Sequence, residues 1–142
     1  MRETRVPLEL VNLHNDGFHL LVEVVVFGQS FNVVLDTGAS KTVFDKTVIE
    51  KHMKNAELMS SELLSTGLGT NSMESHTIVL PVLQIGKFKL KTFEAAVLDL
   101  STISHAYSSL NLPPVIGVLG GDILQRYKAI INYKKLHLKL FR

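Results

Sequence analysis

Asp36-Thr37-Gly38-Ala39-Ser40 is the segment of this 142-residue chain whose residue types and spacing could do chemistry. It follows the apolar run Phe31-Asn32-Val33-Val34-Leu35 and occurs once. The pattern predicts a carboxylate on a tight turn at the end of a buried strand. Such a setting withdraws an acid from bulk water and disfavours its charged form. Thr37 and Gly38 offer backbone N–H groups to the carboxylate oxygens, and Thr37 adds a hydroxyl. Gly38 permits a positive φ or a close approach that a Cβ would block. Two carboxylates held together do not both ionise easily. They share a proton, one acting as base on a water and the other as acid toward a carbonyl.

One chain supplies half of that chemistry. Asp16 lies in the turn sequence Asn15-Asp16-Gly17, Asp45 and Asp122 read as helix caps, and Asp99 precedes Leu100-Ser101. None repeats the Asp-Thr-Gly pattern. The simplest second carboxylate is Asp36 of another copy, which requires a two-fold dimer with the site on its axis. Other chemistries lack their residues. The six histidines show no metal-ligand spacing and there is no cysteine, so no metal and no disulfide is expected. No Gly-x-Ser-x-Gly elbow occurs. Gly67-Leu68-Gly69 lacks the third glycine of a dinucleotide motif, and Gly117 to Gly121 lacks the lysine of a phosphate loop.

The elements that must position Asp36 read as short strands. Val6, Leu8 and Leu10 alternate with Pro7 and Glu9, the pattern of an edge strand tolerant of proline. Residues 18–27 and 31–35 form a hairpin across Gly28-Gln29-Ser30, and 78–85 and 88–98 another across Gly86-Lys87. A third joins 129–132 to 136–141 across Tyr133-Lys134-Lys135. Two short helices are predicted. One covers about 46–54 behind Asp45, with Val48, Ile49 and Met53 on one face, and one covers 123–127 behind Asp122. Ser60 to Ser75 is polar and has the composition of a mobile hairpin or an ordinary loop. The run Val33 to Gly38 has a faint echo in Val118-Leu119-Gly120-Gly121-Asp122. In both, an apolar strand enters a glycine turn. Repeated hairpins point to an all-β barrel or sandwich with one or two short helices, residues 1–142 forming one domain.

Composition narrows the function. A 46% hydrophobic content argues against disorder. With 15 basic and 13 acidic residues the net charge is +2, which points to no nucleic-acid or membrane partner. The basic tail from Lys128 to Lys139 carries alternating Leu136, Leu138 and Leu140, and so reads as a strand with one solvated face. No apolar segment follows Met1-Arg2-Glu3-Thr4-Arg5, so no signal peptide is visible and a cytoplasmic protein is the default expectation. The apolar stretch from Leu20 to Phe27 contains Glu23 and is too short to span a bilayer.

Taken in order along residues 6–141, these pieces resemble the retropepsin-type aspartic proteases, the single-domain family of retroviral proteases and their bacterial homologues. The matching segments are Val34 to Ser40, the flap-like stretch Gly67 to Ser75, and Val118 to Leu124 followed by a C-terminal hairpin. The resemblance implies an all-β fold closed into a β-barrel of the acid-protease type, and a homodimeric peptidase that uses a water between two Asp36 side chains and needs no cofactor. It implies that Leu119 and Gly120 support the Asp36 loop from behind. It places Ala39 and a flap carrying Gly67, Leu68, Gly69 and Met73 against an extended peptide or protein substrate. Two positions depart from retroviral members, which carry Asp and Arg where this chain has Ser40 and Gly121. Retroviral dimers are also stitched by short terminal strands, whereas this C-terminal hairpin is longer. The alternative is a catalytically silent member of the fold that dimerises or binds peptide.

Overall fold

A computed structural model describes residues 2–52, 59–60 and 76–142. Ten strands occur among them. They are β1 (Glu3–Asn12), β2 (Phe18–Val26), β3 (Gln29–Leu35), β4 (Val43–Asp45), β5 (Met59–Ser60), β6 (His76–Ile85), β7 (Phe88–Leu98), β8 (Val115–Leu119), β9 (Ile130–Asn132) and β10 (His137–Phe141). Three helices join them: α1 (Lys46–His52), α2 (Ser101–Ser109) and α3 (Gly121–Arg126). No helix among the described residues is long and apolar enough to cross a membrane.

Six strands close into a barrel. The order β6-β7-β4-β8-β3-β2 returns to its start because β2 also pairs with β6. Exchanging β2 with β6, β3 with β7 and β4 with β8 maps the ring onto itself. The parallel pair β3–β8 becomes the parallel pair β7–β4. This symmetry exchanges β3 with β7 and not with β8, so it does not relate the two apolar-glycine runs that echo in sequence.

The hairpins follow the turn residues. Phe27 and Gly28 take φ of 57° and 72°, and Val26 faces Gln29. Two positive φ values make the two-residue turn that matches strand twist. The link is thus shorter than the three residues predicted, and Gln29 and Ser30 belong to β3. In the third hairpin Asn132 Oδ1 accepts the Lys135 N–H at 2.8 Å, and Leu136 takes the positive φ. Strand β1 departs from the edge-strand prediction. Glu3 to Pro7 pair with β10 and Leu8 to Asn12 pair with β2, so β1 joins the C-terminal strand to the barrel. Pro7 sits at the handover between the two ladders, where a residue without an N–H is tolerated.

Alternation sorts side chains into two cores. Val22, Val24, Val33, Leu35, Leu80, Leu83 and Leu119 fill the barrel interior. Leu21, Val34, Val115 and Val118 face outward and are covered by Tyr107, with Ile103 beside it. Both covering residues lie on α2, a helix the sequence reading missed. Its serines are weak helix formers, and the Ile103–Tyr107 spacing gives it one apolar stripe. Packing on the sheet, more than propensity, holds it helical.

The capping predictions need correction. Asp45 precedes α1, but its Oδ1 accepts the Leu100 N–H at 2.9 Å, tying β4 to the start of α2. Gly120 is the cap of α3, and Asp122 lies within its first turn. Ile49 of α1 is fully buried, while Met53 lies outside the described residues.

Strand β8 carries an irregularity. Asn32 pairs with Val115 but Val34 pairs with Val118, so β8 spends one extra residue around Gly117. A Cβ on Gly117 would run into the Val43 carbonyl oxygen and approach the Phe44 ring at 3.1 Å. Backbone cannot yield as a side chain tip can. Gly117→Ala is expected to lower the unfolding free energy by about 1–3 kcal/mol, the usual cost of overpacking. Urea denaturation monitored by circular dichroism checks this.

His137 on β10 is buried, and its Nε2 has no partner among the described residues. Burial, then the charges of Arg5, Lys139 and Lys135, lower its pKa below the ordinary 6.5, against a weaker opposing pull from Glu3. The unfolded chain binds this proton more readily. The stability His137 confers is therefore full above about pH 6.5 and lost as pH falls below it. His137→Leu is expected to lose less unfolding free energy than wild type between about pH 7 and about pH 5, measured by urea titration at each pH.

Candidate active site

Asp36 lies at the end of β3, directly after Leu35. Its position is set by β8. Leu35 pairs with Leu119, and the Leu119 carbonyl accepts the Asp36 N–H at 3.0 Å. The chain then turns through Thr37 and Gly38, closed by the Ala39 N–H on the Asp36 carbonyl at 3.2 Å. It enters β4, which lies on the other side of β8. The loop from Asp36 to Thr42 thus straddles the strand that supports it.

Close approach is what the glycines provide. A Cβ on Gly120 would sit 2.7 Å from the Lys41 carbonyl and 2.8 Å from the Ala39 oxygen. The adjacent Gly121 N–H donates to the Ala39 oxygen at 2.7 Å. Gly38 does not adopt a positive φ. A Cβ there would stand 3.2 Å from Asp36 Oδ1, and without it the Gly38 N–H reaches that oxygen at 2.8 Å.

A second brace was not read from the sequence. Thr42, almost wholly buried, donates its N–H to Asp122 Oδ2 at 3.0 Å and its hydroxyl to Oδ1 at 2.7 Å. The same hydroxyl oxygen accepts the Gly120 N–H at 3.1 Å. Asp122 Oδ1 also takes the Ile123 N–H at 2.9 Å. One carboxylate therefore locks the far end of the Asp36 loop to β8 and α3. These partners are 80 residues apart, and no local pattern links them.

The Asp36 carboxylate itself departs from the expectation. The strand beneath it is buried, but Asp36, Thr37 and Gly38 are exposed, so the acid is not withdrawn from water within one protomer. The Thr37 hydroxyl makes no hydrogen bond to it among the described residues. One Asp36 oxygen holds the Gly38 N–H, and the other has no partner among the described residues.

Beside Asp36 lies a cleft of about 390 Å³. Phe18, Leu20, Val34, Ile103 and Val118 give it apolar walls, and Asp36, Thr37 and His19 are polar groups at its surface. Asp36 is the only carboxylate among the described lining residues. His19 is one of the six histidines, to none of which the sequence assigns a role. Its partner Tyr107 is 88 residues away, so no sequence signal marked it. Ala39 does not line this cleft; it packs against the outer core and ties the loop to Gly121. Gly67, Leu68, Gly69 and Met73, assigned to a flap, lie outside the described residues. Among the described residues no three His, Asp or Glu side chains gather into a metal-binding group.

The family model described as aspartyl protease matches residues 22–123, from β2 through the Asp36 loop to α3. No curated protein matches the sequence. Among solved structures, a retropepsin-like aspartic protease from Rickettsia conorii is 22% identical, with a TM-score of 0.58, covering 98% of this chain and 90% of its own. The retroviral protease-like domain of Ddi1 from Leishmania major is 17% identical, with a TM-score of 0.56 and 82% of each chain covered. The EIAV protease in complex with the inhibitor HBY-793 is 21% identical, with a TM-score of 0.54, covering 79% of this chain and 90% of its own. These likenesses carry the fold, and the family model carries the membership: the chain belongs to the aspartyl protease family and has the retropepsin-like fold.

Proposed function

We propose that residues 1–142 act as one protease domain that hydrolyses extended peptides as a homodimer. Two Asp36 carboxylates, one from each copy, hold the attacking water. The observation that carries this reading is the placement of Asp36. It stands beside an apolar cleft on a braced loop, with one oxygen fixed by Gly38 and the other without a partner among the described residues. The other aspartates nearby are engaged elsewhere, Asp122 with Thr42 and Asp45 with Leu100.

The chemistry follows from two like charges at close range. One carboxyl stays protonated and the other ionised. The ionised Asp36 takes a proton from the water as it attacks the peptide carbonyl carbon. The protonated Asp36 gives its proton to the carbonyl oxygen, forming a neutral tetrahedral diol. As the diol collapses, the newly ionised Asp36 takes a proton from one diol hydroxyl, the C–N bond breaks, and the other Asp36 gives its proton to the leaving nitrogen. A partner copy also buries each carboxylate that a single protomer leaves exposed, and so supplies the missing desolvation.

Asp36→Asn is expected to lower kcat/KM by at least about 10²–10⁴-fold while the fold is kept. Digestion of a diverse peptide library by both proteins, with concentration varied and products read by mass spectrometry, tests it. Wild-type cuts whose rate rises more steeply than linearly with protein support the dimer. Cuts that survive the substitution would remove Asp36 from the mechanism. Peptide binding without cutting at any concentration would indicate a silent binding module.

Thr42→Val keeps the shape but removes the hydroxyl from Asp122 and Gly120. It is expected to cost about 2–4 kcal/mol of stability, because two hydrogen bonds are lost in a buried site. At temperatures where the variant stays folded, cleavage should fall in kcat more than in KM, since the altered loop carries Asp36. Paired thermal unfolding and steady-state kinetics measure both.

A further inference from the structure

The cleft beside Asp36 contains a polar pair that the carboxylate chemistry does not use. His19, half-buried on β2, lines the cleft, and its Nδ1 lies 2.7 Å from the Tyr107 hydroxyl oxygen on α2. The rings are 5.9 Å apart and tilted by 30°. Tyr107 is 1% exposed, and burial pushes its pKa up to about 12, so the hydroxyl keeps its proton. A buried O–H needs an acceptor. Among the described residues, His19 Nδ1 is the partner within reach.

This fixes the imidazole. When Tyr107 donates to Nδ1, the neutral ring carries its hydrogen on Nε2. Nε2 has no hydrogen-bond partner among the described residues and is not a buried unpartnered atom. It is therefore a donor open to a ligand. Phe18, Val34, Ile103 and Val118 supply apolar surface in the same cleft. An aliphatic or plain aromatic side chain lying there would cover the Nε2–H and leave it without an acceptor. A side chain ending in oxygen would satisfy it.

We propose that His19, oriented by Tyr107, makes this cleft select a peptide side chain with an oxygen acceptor on an apolar stem, tyrosine or glutamine, over its apolar counterpart. The proposal rests on reading the cleft as the peptide site of an Asp36 protease. His19 is the contact to substrate, and Tyr107 is a positioning residue acting through it.

The test uses peptides that differ by Tyr against Phe, or Gln against Met, at each position in turn. Cleavage is followed as kcat/KM with wild type, and binding as Kd with the Asp36→Asn protein. One position should show roughly tenfold preference for the oxygen-bearing residue, the worth of one net hydrogen bond. His19→Leu should abolish that preference, and His19→Gln, which keeps an N–H donor, should restore part of it. Nitrogen-15 NMR should report the Nε2–H tautomer of His19 in wild type and a mixture in Tyr107→Phe, a change that a purely structural tyrosine would not produce. Equal cutting of both peptides at every position would overturn the selectivity and leave the protease reading intact. So would an unchanged preference in His19→Leu, or an Nδ1–H tautomer. No cutting, with a binding preference that His19→Leu removes, would overturn the protease reading and keep the role of His19. Failure to bind any of the peptides would overturn both.

Discussion

Strand β8 runs between β3 and β4, the two strands that the Asp36 loop connects, and so passes beneath that loop. Nearly every feature of the site depends on this crossing. A loop of seven residues cannot step over a neighbouring strand unless that strand is thin. Gly117 and Gly120 make it thin, because any Cβ there would occupy the space of the Val43, Lys41 or Ala39 backbone. The crossing also supplies the hydrogen bonds that the loop would otherwise lack, through Leu119 to Asp36 and Gly121 to Ala39. An exposed turn is thus held by backbone groups that cannot change rotamer.

Charge is arranged to match. The loop that carries Asp36 and the start of α3 hold the uncharged Ser40 and Gly121. Asp122, one residue further on, carries the brace instead. It accepts from the Thr42 N–H and hydroxyl and from the Ile123 N–H, and so has three neutral donors around one carboxylate. Such hydrogen bonds to an ionised acceptor are strong, and they need no second charge to be buried. The brace is complete within one protomer. Asp36 shows the opposite arrangement, with one donor and open access on its other side.

The chain ends bear on how two copies could meet. Strand β1 pairs with β10 from Glu3 to Pro7, and Arg2 and Arg142 exchange backbone hydrogen bonds at 2.9 and 3.0 Å. β10 also pairs with β9, so both of its edges are used. The terminal strands are thus paired within the chain. Exposed apolar groups at the cleft rim, Phe18 and Tyr133 among them, lie beside Asp36 rather than at the chain ends.

The sequence by itself determined what near neighbours decide. Hairpin turns at Gly28 and Gly86, the alternation of β10, and the strand leading into Asp36 were all legible, because each depends on residues within a few positions. The tertiary structure decided what distant segments decide. Helix α2 forms because Ile103 and Tyr107 find Val115 and Val118, not because its serines favour a helix. Asp45 and Asp122 resemble caps in sequence, yet their oxygens are claimed by Leu100 and Thr42, 55 and 80 residues away. His19 gains its orientation from Tyr107, 88 residues on. Local patterns record the conformations a segment can adopt. Which polar atoms meet is settled only when the barrel closes and brings those segments within hydrogen-bonding distance.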